Sequence, residues 1–203
     1  MKQPLSSILG NMDRVQLLKA KLANIDVKHD QTIMKEETLK GAHTYCVIHG
    51  LSAQQYGPLL EKYIIAKFGF KKNTASSCIG DCVKGGVNVE IKASLGGAKH
   101  NKFNYVQIRP SHNVEYICTA YSLTEENVER EGEIYVFRIS KEAMKTLIVS
   151  HGSYAHGTKK EHGDITLEDL NNPANRKEYA LRPAYNDACW KDLLAYRIES
   201  VDI

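Results

Sequence analysis

Two consecutive glycines, Gly85 and Gly86, separate two runs of β-prone residues, GDCVK (80–84) and VNVEIKAS (87–94). Such a pair supplies the positive φ angles that a two-residue hairpin turn requires. If the loop is those two residues, the register of both strands is fixed. Lys84 opposes Val87, Val83 opposes Asn88, Cys82 opposes Val89, and Asp81 opposes Glu90. Side chains two apart on a strand share a face. Asn88, Glu90 and Lys92 therefore lie on one side, while Val87, Val89 and Ile91 lie on the other and can be buried. The alternation predicts a half-buried hairpin with two acids face to face.

Carboxylates directly opposed across strands have Cβ atoms about 5 Å apart. Like charges so placed repel, and one acid titrates high unless something positive sits between them. A divalent cation does that, and all-oxygen donors favour Mg²⁺, with Mn²⁺ able to substitute. Asp81 and Glu90 are thus the candidate metal ligands, with coordination sites left for water and a phosphate oxygen. Lys92 is close enough to orient a water or to help take its proton. A Lewis acid, an activated water and positive charge near phosphorus are the components of metal-assisted phosphodiester hydrolysis. The plain alternative is a solvated hairpin in which Lys92 compensates Asp81; the apolar back face and the aligned acids favour catalysis.

The rest of the chain frames this hairpin. Ile8, Met12, Val15, Leu17, Leu18, Leu22 and Ile25 recur at roughly helical spacing, so the first forty residues read as helix. TYCVI (44–48) reads as a short strand. A helix is expected over about Ser52–Phe68, with Leu60, Ile64 and Phe68 on one stripe. Ser52 and Gln55 fit a capping box, whereas Pro58 argues for a start nearer Gly57-Pro58. From residue 77 five short β-prone runs follow: SCIGDCV, VNVEIKAS, FNYVQIR, VEYICTAY and EIYVFRI. Ser140 caps a helix over 140–149, and residues 150–185 are polar with little periodicity. A last helix, about 186–198, carries Trp190 as a core or dimer-packing anchor. This order predicts an α/β or α+β fold with one continuous core.

Composition narrows the class. Twenty-seven Lys/Arg against 24 Asp/Glu give a formal net charge of +3, too balanced for a disordered tail and too weak to demand a nucleic-acid partner. No run approaches the ~18 apolar residues of a membrane span, and MKQPLSSILGNMDRVQ lacks the apolar region of a secretory signal. Five cysteines (46, 78, 82, 118, 189) show no framework spacing, so reduced thiols in a cytoplasmic protein are expected.

Asp81…Glu90-Ile-Lys92 resembles the signature of the PD-(D/E)xK nucleases, and its short Asp-to-Glu spacing is similar to that of type II restriction endonucleases. The following KASLGGAKHNKFNYVQIRP resembles the stretch after the catalytic lysine in bacterial restriction enzymes. The likeness covers roughly residues 55–140, and Gly80 departs from it, standing where the family often has proline. The resemblance implies a single nuclease domain over 1–203, with a central mixed β-sheet flanked by helices in a restriction-endonuclease-like core. Within it would lie a helical segment over residues 1–50, a catalytic core over about 52–150 and a DNA-contacting or dimerisation region over residues 150–203. It further implies Mg²⁺-dependent, sequence-specific cleavage of double-stranded DNA. Asp81 and Glu90 would be metal ligands and Lys92 the third catalytic residue. Glu61, on the preceding helix, would be a further acid, the alternative being a solvent-facing charge. Cutting both strands with one site per chain calls for a homodimer or a paired subunit.

DNA contacts are expected from two segments. Lys99, His100, Asn101, Lys102, Asn104, Gln107, Arg109 and His112 form a polar, basic stretch beside Lys92, where cations and amides would meet phosphates. Strand alternation there would put Phe103, Tyr105, Gln107 and Arg109 on one face. The second segment, HGSYAHGTKKEHGD (151–164), offers His156, Lys159 and Lys160 among three His-Gly pairs, whose glycines allow close backbone approach. His151, His156 and His162 lack zinc-ligand spacing, and Cys78 with Cys82 forms only a lone pair. Asn171, Asn172, Asn175 and Arg176 are candidates for base readout. Alternative functions are a structure-selective repair or recombination nuclease, and a non-catalytic DNA-binding subunit of the same fold.

Overall fold

A computed structural model of the chain describes residues 29–74, 79–96 and 102–201. The expected helical stripe at residues 8–25 lies outside the described residues, as do Cys78, Lys99, His100 and Asn101. The described chain begins with α1 (His29–Ile33), α2 (Leu39–Ile48) and α3 (Ala53–Lys67). Then come β1 (Lys71–Lys72), β2 (Cys82–Lys84), β3 (Val87–Leu95), β4 (Tyr105–Ile108), β5 (Glu115–Ser122) and β6 (Glu133–Ile139). After α4 (Lys141–His151) and β7 (Ser153–Tyr154) follow α5 (Lys159–His162), α6 (Leu167–Asn171) and β8 (Tyr179–Leu181). The chain closes with α7 (Ala188–Leu194) and β9 (Arg197–Ile198).

The strands form two sheets. A six-stranded mixed sheet runs β1-β2-β3-β5-β6-β9, with β3 and β5 its parallel pair, and a three-stranded antiparallel sheet runs β4-β8-β7. The fold is therefore mixed α/β, with helices flanking the sheets. Alternation along β3 decides which side each helix takes. Val89 and Ile91 pack with Ile117 and Val136 against Leu60 and Ile64 of α3 and Ala42 and Cys46 of α2. The other face presents Tyr116, Cys118 and Phe137 to Tyr105 of the small sheet, to Met144 and Ile148 of α4, and to Trp190. Trp190 is buried as expected, stacked on Phe103 at 4.9 Å. The single continuous core thus resolves into two clusters separated by the main sheet.

Several local expectations are corrected. Residues 44–48 are the end of α2, not a strand, because Leu39, Ala42, His43 and Cys46 make a buried helical stripe that overrides the β-prone composition. Thr38 caps α2 by accepting the Gly41 N–H at 2.9 Å. Helix α3 starts at Ala53: Gln55 Oε1 accepts the Ser52 N–H at 2.9 Å in the capping-box manner. Pro58 is tolerated because it falls in the exposed second turn, where water can replace the missing bond. The last helix ends at Leu194, since Arg197 and Ile198 pair instead with Phe137 and Val136 on the sheet edge. FNYVQIR leaves the main sheet altogether and founds the small one.

Candidate active site

The hairpin has the register its turn dictates. Gly85 and Gly86 take φ of 57° and 82°, and Cys82, Val83 and Lys84 pair with Val89, Asn88 and Val87. The expected pairing of Asp81 with Glu90 is not formed: the ladder stops at the Cys82–Val89 pair. The Asp81 N–H donates to the same Val89 carbonyl at 2.9 Å, so two residues of this strand lie against one of β3 as in a bulge. Asp81 Oδ2 then accepts the Ile91 N–H at 2.7 Å, which ties the side chain to the strand carrying Glu90 and Lys92. Asn73, just after β1, holds this bend from the other side. Its N–H donates to the Asp81 carbonyl at 2.9 Å, and its Nδ2 donates to the carbonyls of Ile79 and Gly80 at 3.1 and 3.2 Å.

Gly80 accounts for the departure from the proline of the resembled motif. Its φ is +78°, which proline cannot adopt. A Cβ there would fall 2.6 Å from the Val89 carbonyl oxygen and 2.9 Å from Val114 Cγ1. The backbone passes so close to β3 that only glycine fits.

Lys92 Nζ lies 2.8 Å from Glu90 Oε1, with side chains only 15% and 12% exposed, so this ion pair is largely shielded from solvent screening. Asp81 is the perturbed acid: burial, then the Glu90 charge, push its carboxyl up to about 6, with the Glu61 charge adding to the rise. The Ile91 N–H and the Lys92 charge oppose it. Glu61, on α3, pairs with Lys72 at 3.6 Å, so it stands at the rim with one oxygen engaged. The structure thus brings Asp81, Glu90 and Lys92 together, with Glu61 within electrostatic reach.

A second group of charges borders the first. Arg109 donates through Nε and Nη2 to Glu178 Oε1 at 2.8 and 2.5 Å, and Tyr116 donates its hydroxyl to the Arg109 carbonyl at 3.4 Å. His112, held by a turn bond from its N–H to the Arg109 carbonyl at 3.0 Å, feels the charges of Glu90, Lys92, Arg109 and Glu178. Burial holds its imidazole below the usual range, hence neutral at pH 7. Sequence reasoning missed Glu178 and Asn73. Glu178 is distant along the chain in a segment without periodicity, and Asn73 acts through backbone bonds that no spacing announces.

The other expected contacts are dispersed. Lys102 and Asn104 are exposed, and the Asn104 N–H donates at 2.8 Å to the Oγ of Ser94, two residues beyond Lys92 on β3. Gln107 is exposed but takes φ of 56°, and the register shifts between Tyr105 and Ile108. This irregularity corrects the expected alternation: Phe103, Tyr105 and Ile108 are all buried, so the two aromatics are core residues and Gln107 and Arg109 do not share their face. His156 lies 3.7 Å from Glu178 Oε2, Lys159 pairs with Asp164 at 3.8 Å, and Lys160 is exposed. The asparagines expected to read bases are engaged within the protein. Asn171 accepts from Lys145, Asn172 from the Ala174 N–H, and Asn175 bonds the Asp169 carbonyl, the Tyr179 hydroxyl and the Lys177 N–H.

Two carboxylates are what this site offers a metal. Among the described residues no group of three or more His, Cys, Asp or Glu side chains is gathered to hold an ion. The donor set nevertheless fits a hard cation that retains most of its water. Asp81 Oδ1 and Glu90 Oε2 have no hydrogen-bond partner among the described residues, and the Asp81 carboxyl, raised by burial first and by the Glu90 charge second, is one whose charged form a cation would favour. No family model matches the chain, and no curated protein is significantly similar to it.

Proposed function

We propose that the protein is a Mg²⁺-dependent endonuclease acting on double-stranded DNA, built on a restriction-endonuclease-like core, with Asp81 and Glu90 as metal ligands and Lys92 as the catalytic base or water-orienting group. The observation that carries this reading is the perturbed Asp81 tied by the Ile91 N–H to the strand that bears the shielded Glu90–Lys92 pair. Strained like charges beside a fixed ammonium are unhelpful to stability, and such arrangements concentrate at functional sites.

A divalent cation bound there supplies polarisation of a phosphate oxygen and a lowered pKa for water. Everything else is the chain's own. Asp81, pinned by the Ile91 N–H, keeps one oxygen free for the ligand role. Lys92 brings positive charge to the face where negative charge develops on the phosphoryl group, and orients the attacking water. Gly80 and Asn73 hold the bend that keeps Asp81 against β3. Lys102, Asn104, Gln107 and Arg109 would position the duplex through its phosphates. A two-fold dimer, or a paired subunit, would cut the second strand.

Digestion of a plasmid of known sequence in Mg²⁺, followed by sequencing of the ends, tests this directly. Discrete ends at one short sequence are expected for a restriction-type enzyme. Intact plasmid at every Mg²⁺ and Mn²⁺ concentration would remove the assignment.

A further inference from the structure

A cleft of about 460 Å³ opens beside the small sheet, walled by Tyr154, His156, His162, Arg176, Lys177 and Glu178. Its walls are built rather than incidental. Tyr154 on β7 is buried, and its hydroxyl donates to the carbonyls of His162 and Gly163, each at 3.3 Å. The His162 ring stands edge-on to it at 4.9 Å. Gly157, at φ +84°, lets the loop close over that ring, since a Cβ there would collide with His162 Nε2. Thr158 and Glu161 lock the intervening turn, the Thr158 N–H donating to Glu161 Oε2 at 2.7 Å.

The opposite wall is equally fixed. Arg176 Nη1 donates to the Pro173 carbonyl at 2.6 Å, and Asn175 Oδ1 accepts the Lys177 N–H at 2.9 Å. Lys177 Nζ sits 5.2 Å over the Tyr154 ring. Lys62, Lys72, Lys92, Lys145, Lys159, Arg109, Arg138 and Arg197 each have a carboxylate within 4.0 Å. Arg176 and Lys177 have none among the described residues. The nearest acid in the cleft, Glu178, is occupied by Arg109. Two exposed cations without a carboxylate partner and two histidines around one opening, with Glu178 as its acidic wall residue 3.7 Å from His156, make a candidate anion site.

We infer that this cleft binds a backbone phosphate of the nucleic acid at a position away from the cleaved one. The inference rests on the nuclease reading. Continuity favours a strand phosphate over a free anion. Glu178 links the cleft to Arg109, whose carbonyl accepts the His112 N–H and the Tyr116 hydroxyl, and Tyr116 pairs with Glu90 across β3 and β5. One polar rim therefore runs from the hairpin to the cleft. Phosphates along a strand are arrayed in the same way, and each one neutralised by the protein releases counterions.

The test is binding of a duplex oligonucleotide in EDTA, where no cleavage occurs, followed by fluorescence anisotropy over a range of salt concentrations. Changing Arg176→Ala and Lys177→Ala together should weaken binding about tenfold and flatten the slope of log K against log salt by about 1. The same pair of changes at Lys35 and Lys67, on the helical side of the main sheet, should leave the slope unaltered. A wild-type slope in the cleft variant overturns the subsite while leaving the nuclease reading intact. So does a variant that loses only inorganic-phosphate binding, which would mean the cleft takes a free anion. If the wild-type protein binds no duplex, both readings fall.

Discussion

Asp81 Oδ2 accepts the backbone N–H of Ile91 at 2.7 Å, so the acid is fastened to the partner strand rather than to its own. That bond holds the carboxylate beside Glu90 at an electrostatic cost. Burial and the Glu90 charge raise its pKa from 3.8 to about 6. A carboxyl raised in the folded state contributes stability below pH 3.8 that is lost as pH rises through 6. Asp81→Asn keeps an acceptor for Ile91 and removes the charge. The metal-free variant should be more stable than the wild type by roughly 1–3 kcal/mol at pH 8, with the advantage vanishing near pH 3.5. Urea denaturation at both pH values measures it; an equal or less stable variant at pH 8 would mean that Asp81 is not strained.

Gly80→Ala should be far more damaging than Gly85→Ala, although both glycines have positive φ. At Gly85 a Cβ meets nothing within 4 Å, so only the left-handed penalty of about 1–2 kcal/mol applies. At Gly80 the added carbon meets the Val89 carbonyl and Val114, and the bend must move. We expect a loss of roughly 3 kcal/mol or more together with loss of cleavage, because Asp81 is drawn away from its bond to the Ile91 N–H. Denaturation midpoints and plasmid cleavage, measured side by side, compare the two variants; equal effects would contradict the close approach.

The hairpin was legible in the sequence because two glycines fix a turn, a turn fixes a register, and a register fixes facing residues. The shared face of Glu90 and Lys92 follows from that chain of constraints, whereas Asp81 falls outside the ladder because its N–H takes the Val89 carbonyl already opposite Cys82. The α4 helix was legible from Ser140, which caps it by accepting the Ala143 N–H. What escaped depends on tertiary packing. TYCVI has strand-forming residues but belongs to a stripe that begins at Leu39, upstream of the β-prone run itself. Ile108 reaches the core only because Gln107 adopts a left-handed φ, which shifts the alternation by one. Glu178 meets Arg109 across 69 residues, between two strands of a sheet that local pattern did not announce.

Glu178 restrains Arg109. Its carboxylate takes both guanidinium N–H bonds, so the arginine is neutralised while the site is free. Glu178→Gln should release that charge, tighten duplex binding severalfold and steepen the salt slope by up to about 1. Anisotropy titrations would register the change. Weaker binding in this variant would show that the pair is needed intact to shape the surface.

His43 is wholly buried in α2, with Nδ1 2.8 Å from the Leu39 carbonyl and Nε2 2.9 Å from Thr119 Oγ1. Burial lowers its pKa from 6.5 to about 4. The unfolded chain therefore binds the extra proton more readily between those values, and stability from this residue is lost as pH falls from 6.5 towards 4. Thermal unfolding across that window should show a steeper acid loss in the wild type than in His43→Gln. Parallel curves would remove His43 as the source.

The nuclease reading requires above all that Asp81 and Glu90 together hold one divalent cation. Calorimetric titration of Mn²⁺ into the wild-type protein, Asp81→Asn and Glu90→Gln at pH 7.5 tests this without a DNA substrate. One site is expected in the wild type, abolished or weakened at least tenfold in each variant, and weakened in the wild type as pH falls below 6. Absence of Mn²⁺ binding by the wild type, or binding of equal strength in all three proteins, would contradict it.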